Sequence, residues 1–444
     1  MERLVMLLLA VALAAAANGA TLRDIRDIVA DYCYDEAKIA PYTLPDPLVC
    51  ADGTPVRDAR TWLARRRGEL LDLLARYAYG WPLPPPAAVR CETLSEQGDA
   101  LGGIAIRREV RLSFTGPTGR TLDATMLLYI PRSATAAAPV PVFLGLNFKG
   151  NHACTDEPDV RIATLDLSRQ DPRYAEGSMK RRNAWPAARG EHARRWPFAE
   201  IVRRGYAVGT ACYHDFYPDF MGAAGNSALA LFLDDDALAA PQTRHTPIGA
   251  WAWGLSRMLD HCRTEPRIDV TRAAVIGHSR LGKTALWAGA TDTRFRLVIA
   301  NDSGCGGGAL HRRKIGENIE ALVSHRTTLN AADWFTDSFA TFIGREQDLP
   351  FDQHELLALT APRALCLGVA TKDRSADPKG EFEAMLAARP VWRLFGIEAT
   401  PLTEMPSPGR GSVAPVSFHV REGRHDIVLE DWLEYLAAAD MHLR

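Results

Sequence analysis

The 444-residue chain predicts an α/β fold, a three-layer sandwich with a mainly parallel central sheet. Two observations carry this. Short apolar runs alternate with helical stretches from about residue 140 to the C-terminus, so successive strands run the same way and the sheet is covered on both faces. One run, Ala273 to Ile276, breaks at Gly277-His278-Ser279 and opens at once into the helix-forming Thr284-Ala285-Leu286-Trp287-Ala288. The chain is long enough to bury a large core.

In order, residues 1–20 read as a secretory signal peptide. Arg3 precedes an apolar run from Leu4 to Ala17, with cleavage expected near Ala17 or Ala20. The run is too short for a lasting membrane anchor, so a secreted or periplasmic location is expected. Residues 21–90 form an N-terminal helical segment packed on the main domain. Within it Thr61 to Tyr77 has helical spacing (Trp62, Leu63, Leu70, Leu71, Leu74) and stops at Gly80-Trp81-Pro82. Residues 91–444 form the main domain. Ile104 to Phe114 alternates apolar and polar, Leu122 to Ile130 is more apolar, and Gly116-Pro117-Thr118-Gly119 joins them as a hairpin.

Val142 to Leu146 is a buried strand ending in the polar turn Asn147 to His152. The polar stretch Cys154 to Arg195 is read as an excursion over the upper face of the sheet. Phe198 to Arg204 is helical and Tyr206 to Cys212 extended. Thr246 to Cys262 is a helix leading to the Ser279 strand. Strands follow at Leu297 to Ala300, Ala364 to Val369 and Val416 to Val420, with a helix from Lys379 and a last one from Leu429 to Leu443.

The net charge of −2 gives no support for nucleic acid or an anionic membrane surface as partner. A monomer is expected. Eight cysteines in an exported chain permit disulfides, without fixing their pairing. No Cys-x-x-Cys pair points to zinc.

A strand–sharp turn–helix carrying Gly-x-Ser lifts a serine hydroxyl out of a parallel sheet, the layout of the α/β-hydrolase fold. Gly277 permits the tight turn, and the new helix offers free N–H groups to a developing oxyanion. An acyl-transfer serine also needs a base and a group to orient it. His425, in Gly423-Arg424-His425-Asp426, follows the final strand, where this fold needs its base. His354 is the rival, in what reads as a helix start below the site, and His152 reads as a pocket or loop residue. Two aspartates compete to orient the base: Asp302 past one strand end and Asp373 past the next. The fold alone favours Asp373.

Two cations set this serine apart from that of a simple apolar esterase. Arg280 follows it directly, within reach of an oxyanion or a substrate carboxyl oxygen. Lys283 lies one helical turn on, on the same side. The plain alternative for both is ion pairing with acidic neighbours.

The run Gly277-His278-Ser279-Arg280-Leu281-Gly282-Lys283 resembles the Gly-x-Ser-Arg-x-Gly-Lys signature of the glucuronoyl esterases, carbohydrate esterase family 15. Further stretches resemble its bacterial branch: Leu146 to His152, Arg195-Trp196-Pro197, Ser303-Gly304-Cys305-Gly306-Gly307, Leu349 to His354, Ala376 to Phe382, and Arg424-His425-Asp426. The resemblance spans about Cys91 to the C-terminus. It implies an α/β-hydrolase cleaving esters of 4-O-methyl-glucuronic acid, as between glucuronoxylan and lignin alcohols, with no metal or organic cofactor. It also implies Ser279 as nucleophile, His425 as base, Arg280 at the oxyanion, and Lys283 and Glu317 on sugar hydroxyls. The family's usual acid is a glutamate at the position of Asp302, which tilts the choice toward Asp302. Some bacterial members carry an acid matching Asp373, so shared duty stays open.

Two departures stand out. Ser375 takes the place of a tryptophan that often shields the sugar. His278 takes the place of a cysteine that fungal members tether near the catalytic histidine, so no such tether is expected. Other readings are an acetyl-xylan or general carboxylesterase and a non-catalytic glycan-binding relative.

Overall fold

The computed structural model describes residues 23–162, 188–329 and 332–444. The leader expected over residues 1–20 lies outside them, as does the middle of the expected polar excursion. Nine strands among the described residues form one sheet in the order β1-β2-β3-β5-β4-β6-β7-β8-β9. They are β1 Ala88–Asp99, β2 Ala105–Thr115, β3 Thr121–Pro131, β4 Val140–Asn147, β5 Ala207–Cys212, β6 Ile268–His278, β7 Phe295–Asn301, β8 Ala364–Ala370 and β9 Val416–Arg421. The first three pair antiparallel and dock on β5; from β5 to β9 every pair is parallel.

The described helices that matter here are α1 (Ile25–Ala30), a helix α2 over residues 59–79 with π turns within it, α3 (Phe198–Arg203), α4 (Pro247–Cys262) and α5 (Arg280–Thr291). After them come α6 (Ile319–Leu329), α7 (Gln353–Ala358), α8 (Pro378–Arg393) and α9 (Leu429–His442). None is long and apolar enough to cross a membrane.

The pleat divides each central strand between two cores. Phe143, Ala274, Ile276, Leu297 and Ile299 face α3 and α9. Leu144, Val275, Val298 and Leu365 face α4, α5 and α8, where Trp251, Trp287 and Trp392 are buried. This is why these runs are continuously apolar rather than alternating. The edge strand β1 was not expected: it is exposed along almost its whole length and carries no apolar period to read.

The segment before the sheet joins the second core. Trp62, Leu70, Leu74 and Tyr79 of α2 are fully buried there, and Tyr79 stacks on Trp287 with ring centroids 5.0 Å apart. The Tyr79 carbonyl also accepts from the hydroxyl of Thr246, the residue that caps α4.

Parallel register aligns the carboxyl ends of the strands. His278 lies opposite Asn301, and Asn301 opposite Gly368. The loops after β6, β7, β8 and β9 therefore open on one rim. At the end of β6 the chain turns through Ser279, which takes φ 59° and ψ −130°, a strained conformation for a side-chain-bearing residue. The Ser279 N–H donates to Asn301 O at 2.9 Å, holding the turn against β7. A Cβ on Gly277 would lie 1.8 Å from the Leu281 carbonyl oxygen. On Gly282 it would meet Ser303 Cβ at 3.0 Å and Asn301 O at 3.2 Å, so the late glycine lets α5 sit close on the β7 loop.

The overlap at Gly277 is with backbone, which cannot swing aside. Gly277→Ala is expected to cost about 3 kcal/mol or more, or to prevent folding; an unchanged thermal midpoint would contradict this account of the turn.

Candidate active site

Ser279 sits at the head of α5, between strand and helix. The same rim carries His425 and both candidate aspartates, and the His425 ring lies 4.5 Å from that of His278, the residue before Ser279. His425 Nδ1–H donates to Asp373 Oδ2 at 2.5 Å, and Asp373 is almost fully buried. Asp302 does not make that bond, contrary to the choice that the resemblance tilts toward it. The physical reason is local. Asp302 takes φ 44°, and its buried carboxyl is turned to backbone, accepting from Ala370 N at 2.9 Å and Asp426 N at 3.3 Å. It thus clasps the loop that carries Asp373 to the loop that carries His425. Burial, and then the negative charge of Asp373, push the Asp302 carboxyl well above the ordinary range.

The His425 loop is held from other sides as well. Arg421 donates to the Arg424 and Asp426 carbonyls, each at 2.9 Å. Asp426 forms ion pairs with Arg194 and Arg195. His278 packs its ring against His425 at 4.5 Å between centroids and donates from Nδ1 to Asn301 Oδ1 at 2.6 Å. Burial, then the nearby His425, hold His278 in its neutral form. An imidazole contact thus replaces the covalent tether, and all eight cysteines are unpaired.

The two cations do make ion pairs, and both keep capacity to spare. Arg280 donates to Asp219 Oδ2 at 2.5 Å and lies over the Trp334 ring at 4.4 Å. Its buried Nε–H has no partner among the described residues. Lys283, buried, donates to Ser303 O at 2.8 Å and Glu317 Oε2 at 3.3 Å, leaving a third ammonium N–H for another acceptor. Glu317 is held by its own N–H donating to Ser375 O at 2.9 Å. Ser375 gives its hydroxyl to Asp373 Oδ1 at 3.1 Å, so this small side chain steadies the aspartate instead of roofing a sugar.

His354 is away from this chemistry: it lies in α7 and its Nε2 meets Pro45 O at 2.8 Å. His152 is fully buried in the turn after β4.

Two residues escaped the sequence reading. Asp219 is the hub under Arg280, also accepting from Tyr213 Oη, Ala332 N and Trp334 Nε1. Glu381, in α8, accepts from Gly304 N at 2.6 Å and Ser303 Oγ at 3.2 Å behind the Lys283 site. Asp219 lies in a stretch with no motif of its own, and Glu381 lies in the Ala376 to Phe382 stretch, where the resemblance gave it no role. The one signal was an unexplained acid close to aromatic residues in Tyr213 to Phe220.

Among the described residues, one group of His, Cys, Asp and Glu side chains is tight enough to hold a metal ion: Asp302, Asp373 and His425, whose ligand atoms lie within 4.8 Å of one another. The Nδ1 of His425 and an oxygen of Asp373 are joined in one hydrogen bond, and Asp302 is committed to backbone. That pattern suits proton transfer and imidazole orientation.

Residues 240–396 match the family described as "Glucuronyl esterase, fungi". The chain is 40% identical over 413 residues to carbohydrate esterase MZ0003 from an unknown prokaryotic organism, covering 92% of each. Among solved structures it is similar to a glucuronoyl esterase from Solibacter usitatus, with 36% identity, a TM-score of 0.81, and coverage of 91% of this chain and 99% of that one. It is also similar to a promiscuous family 15 esterase from a marine bacterial metagenome, with 38% identity, a TM-score of 0.80, and coverage of 93% and 100%.

Burial pushes the Glu381 carboxyl up to about 8, against the hydrogen bonds from Gly304 and Ser303 that favour its charge. Between the ordinary 4.5 and 8 the folded chain keeps a proton that the unfolded chain has lost. The stability linked to this group is therefore complete at low pH and falls as pH rises through that window. Glu381→Gln should match the wild type in thermal midpoint at pH 5 and exceed it at pH 9. Equal midpoints at both pH values would refute the assignment.

Proposed function

The chain belongs to carbohydrate esterase family 15, and from that premise we propose that it hydrolyses esters of glucuronic acid, including the 4-O-methyl form, through an acyl-enzyme on Ser279. The observation that carries this is the pairing of two cationic sites with one elbow: Arg280 beside the nucleophile, and the Lys283–Glu317 pair one turn along the helix. An ester with an apolar acyl group has no use for the second; a uronate ring presents hydroxyls to it.

His425 Nε2 takes the proton of the Ser279 hydroxyl, and Oγ attacks the uronate carbonyl carbon. Asp373 fixes the imidazole with Nδ1 protonated and stabilises its charged form. The tetrahedral oxyanion is met by the Arg280 guanidinium and the unpaired N–H groups at the start of α5. Asp219 and Trp334 act as positioning residues, holding the guanidinium between a carboxylate and an aromatic face. The ester C–O bond breaks, and the alcohol leaves with the proton from His425. Water then repeats the sequence in reverse roles, releasing the uronic acid and restoring Ser279. Lys283 and Glu317 hold the ring hydroxyls. The leader read from residues 1–20 supports an activity outside the cytoplasm, where glucuronoxylan-type substrates are found.

A broader carboxylesterase is the second reading, favoured by the small Ser375 and by the similarity to the promiscuous esterase. Steady-state kinetics on glucuronate, galacturonate and acetyl esters separates them. The proposed function predicts the highest kcat/KM on glucuronate, a large loss in Arg280→Ala and no turnover by Ser279→Ala. Preference for acetyl esters with little loss in Arg280→Ala would overturn it.

The acids are tested apart. Asp373→Ala is expected to lower kcat about 10³–10⁴-fold, whereas Asp302→Asn, which keeps one acceptor for the Ala370 N–H and gives up the longer bond from Asp426 N–H, loses about tenfold or less. Collapse only in the double variant would mean that the two share the role.

A further inference from the structure

We propose that Tyr32 and Tyr34, in the segment before the main domain, form the aromatic wall of the uronate subsite beside Lys283 and Glu317. This rests on the glucuronoyl esterase reading and adds a part of the site on which neither the serine signature nor the catalytic loops bear.

The argument starts from where the segment is fastened. Ile25 and Ile28 of α1 pack with Ala321 of α6, and Tyr32 packs against the same cluster. The chain then passes between the two loops that flank the sugar side. Cys33 O accepts from Gly316 N at 2.9 Å, next to Glu317. Tyr34 O accepts from the Arg374 guanidinium at 3.0 Å, next to Ser375. Those two loops are joined to each other by the Glu317 N–H to Ser375 O bond. A Cβ on Gly316 would lie 2.5 Å from the Ser375 backbone, so they touch without an intervening side chain. Glu36 completes the attachment through ion pairs to Arg313 at 2.6 Å and Lys379 at 2.8 Å.

Tyr32 and Tyr34 bracket the pinned Cys33. Their rings meet edge to face, with centroids 6.2 Å apart at 80°. Tyr32 is partly buried, and its phenol is held protonated by burial and then by the nearby Glu317 carboxylate. Tyr34 is 38% exposed and lies under the Arg374 guanidinium at 4.6 Å, which fixes its ring at the rim. Ser375 supplies no ring of its own, since its hydroxyl is spent on Asp373.

Lys283 and Glu317 satisfy hydroxyls, the polar edge of a pyranose. The same ring has C–H faces that need apolar cover to bind well. A tyrosine offers a flat apolar face with a polar tip, at low conformational cost. Two of them fastened beside Glu317 meet that need.

The test compares benzyl glucuronate with 4-nitrophenyl acetate, which has no sugar ring. Tyr32→Ala and Tyr34→Ala should each raise KM for the glucuronate about five- to tenfold, with kcat nearly unchanged and acetate turnover as in the wild type. Tyr32→Phe should retain wild-type KM, because the ring carries the effect. An unchanged glucuronate KM in the double alanine variant, or an equal loss on both esters, would overturn the wall. Failure of the wild type to turn over the glucuronate while cleaving the acetate would overturn the underlying function instead, so the two failures are told apart.

Discussion

The close approach of α5 to the end of β7 is the constraint on which the rest of the rim depends. It needs Ser279 in a strained left-handed turn, Gly277 where a methyl would collide with backbone, and Gly282 where a methyl would be tight against the β7 loop. That approach does three things together. It sets Ser279 at the turn between strand and helix, leaves the first N–H groups of α5 at that turn, and brings Lys283 down onto the Ser303 carbonyl. The strain is offset by the Ser279–Asn301 hydrogen bond and by the packing of α5 in the larger core.

A second theme is the crowding of acids under the rim. Asp302, Asp373, Glu381 and Asp431 are all buried there, and four like charges so close cannot all be ionised without cost. The structure separates them by their partners. Asp373 has the imidazole and a serine hydroxyl, and Asp431 has Arg421 and His419. Asp302 and Glu381 have mostly backbone N–H groups, and burial raises both. The two acids with side-chain donors, Asp373 and Asp431, thus stand apart from the two that burial raises.

Much of this was legible in the chain. The parallel strands announced themselves as apolar runs, since burial on two faces leaves a simple pattern. The elbow was legible because its chemistry demands particular residues at fixed spacing. The aspartate behind His425 was harder. Asp302 and Asp373 follow adjacent strands with equal access to the rim, and side-chain direction past a strand end depends on loop backbone that no periodicity encodes. The same holds for Asp219, 61 positions from Arg280 in sequence yet bonded to it. Strand β1 was missed for the opposite reason: with so little buried, it had nothing to signal.

The clasp at Asp302 bears on how such a site changes over evolutionary time. Two neighbouring strand ends each present a carboxyl group within 4.8 Å of the same imidazole. The orienting role can therefore pass from one strand to the next while the base and the nucleophile stay where they are. The spare carboxyl meanwhile keeps its place by tying the two loops together. The rim thus has room for a carboxylate on either strand end, while in this chain Asp373 alone bonds the imidazole.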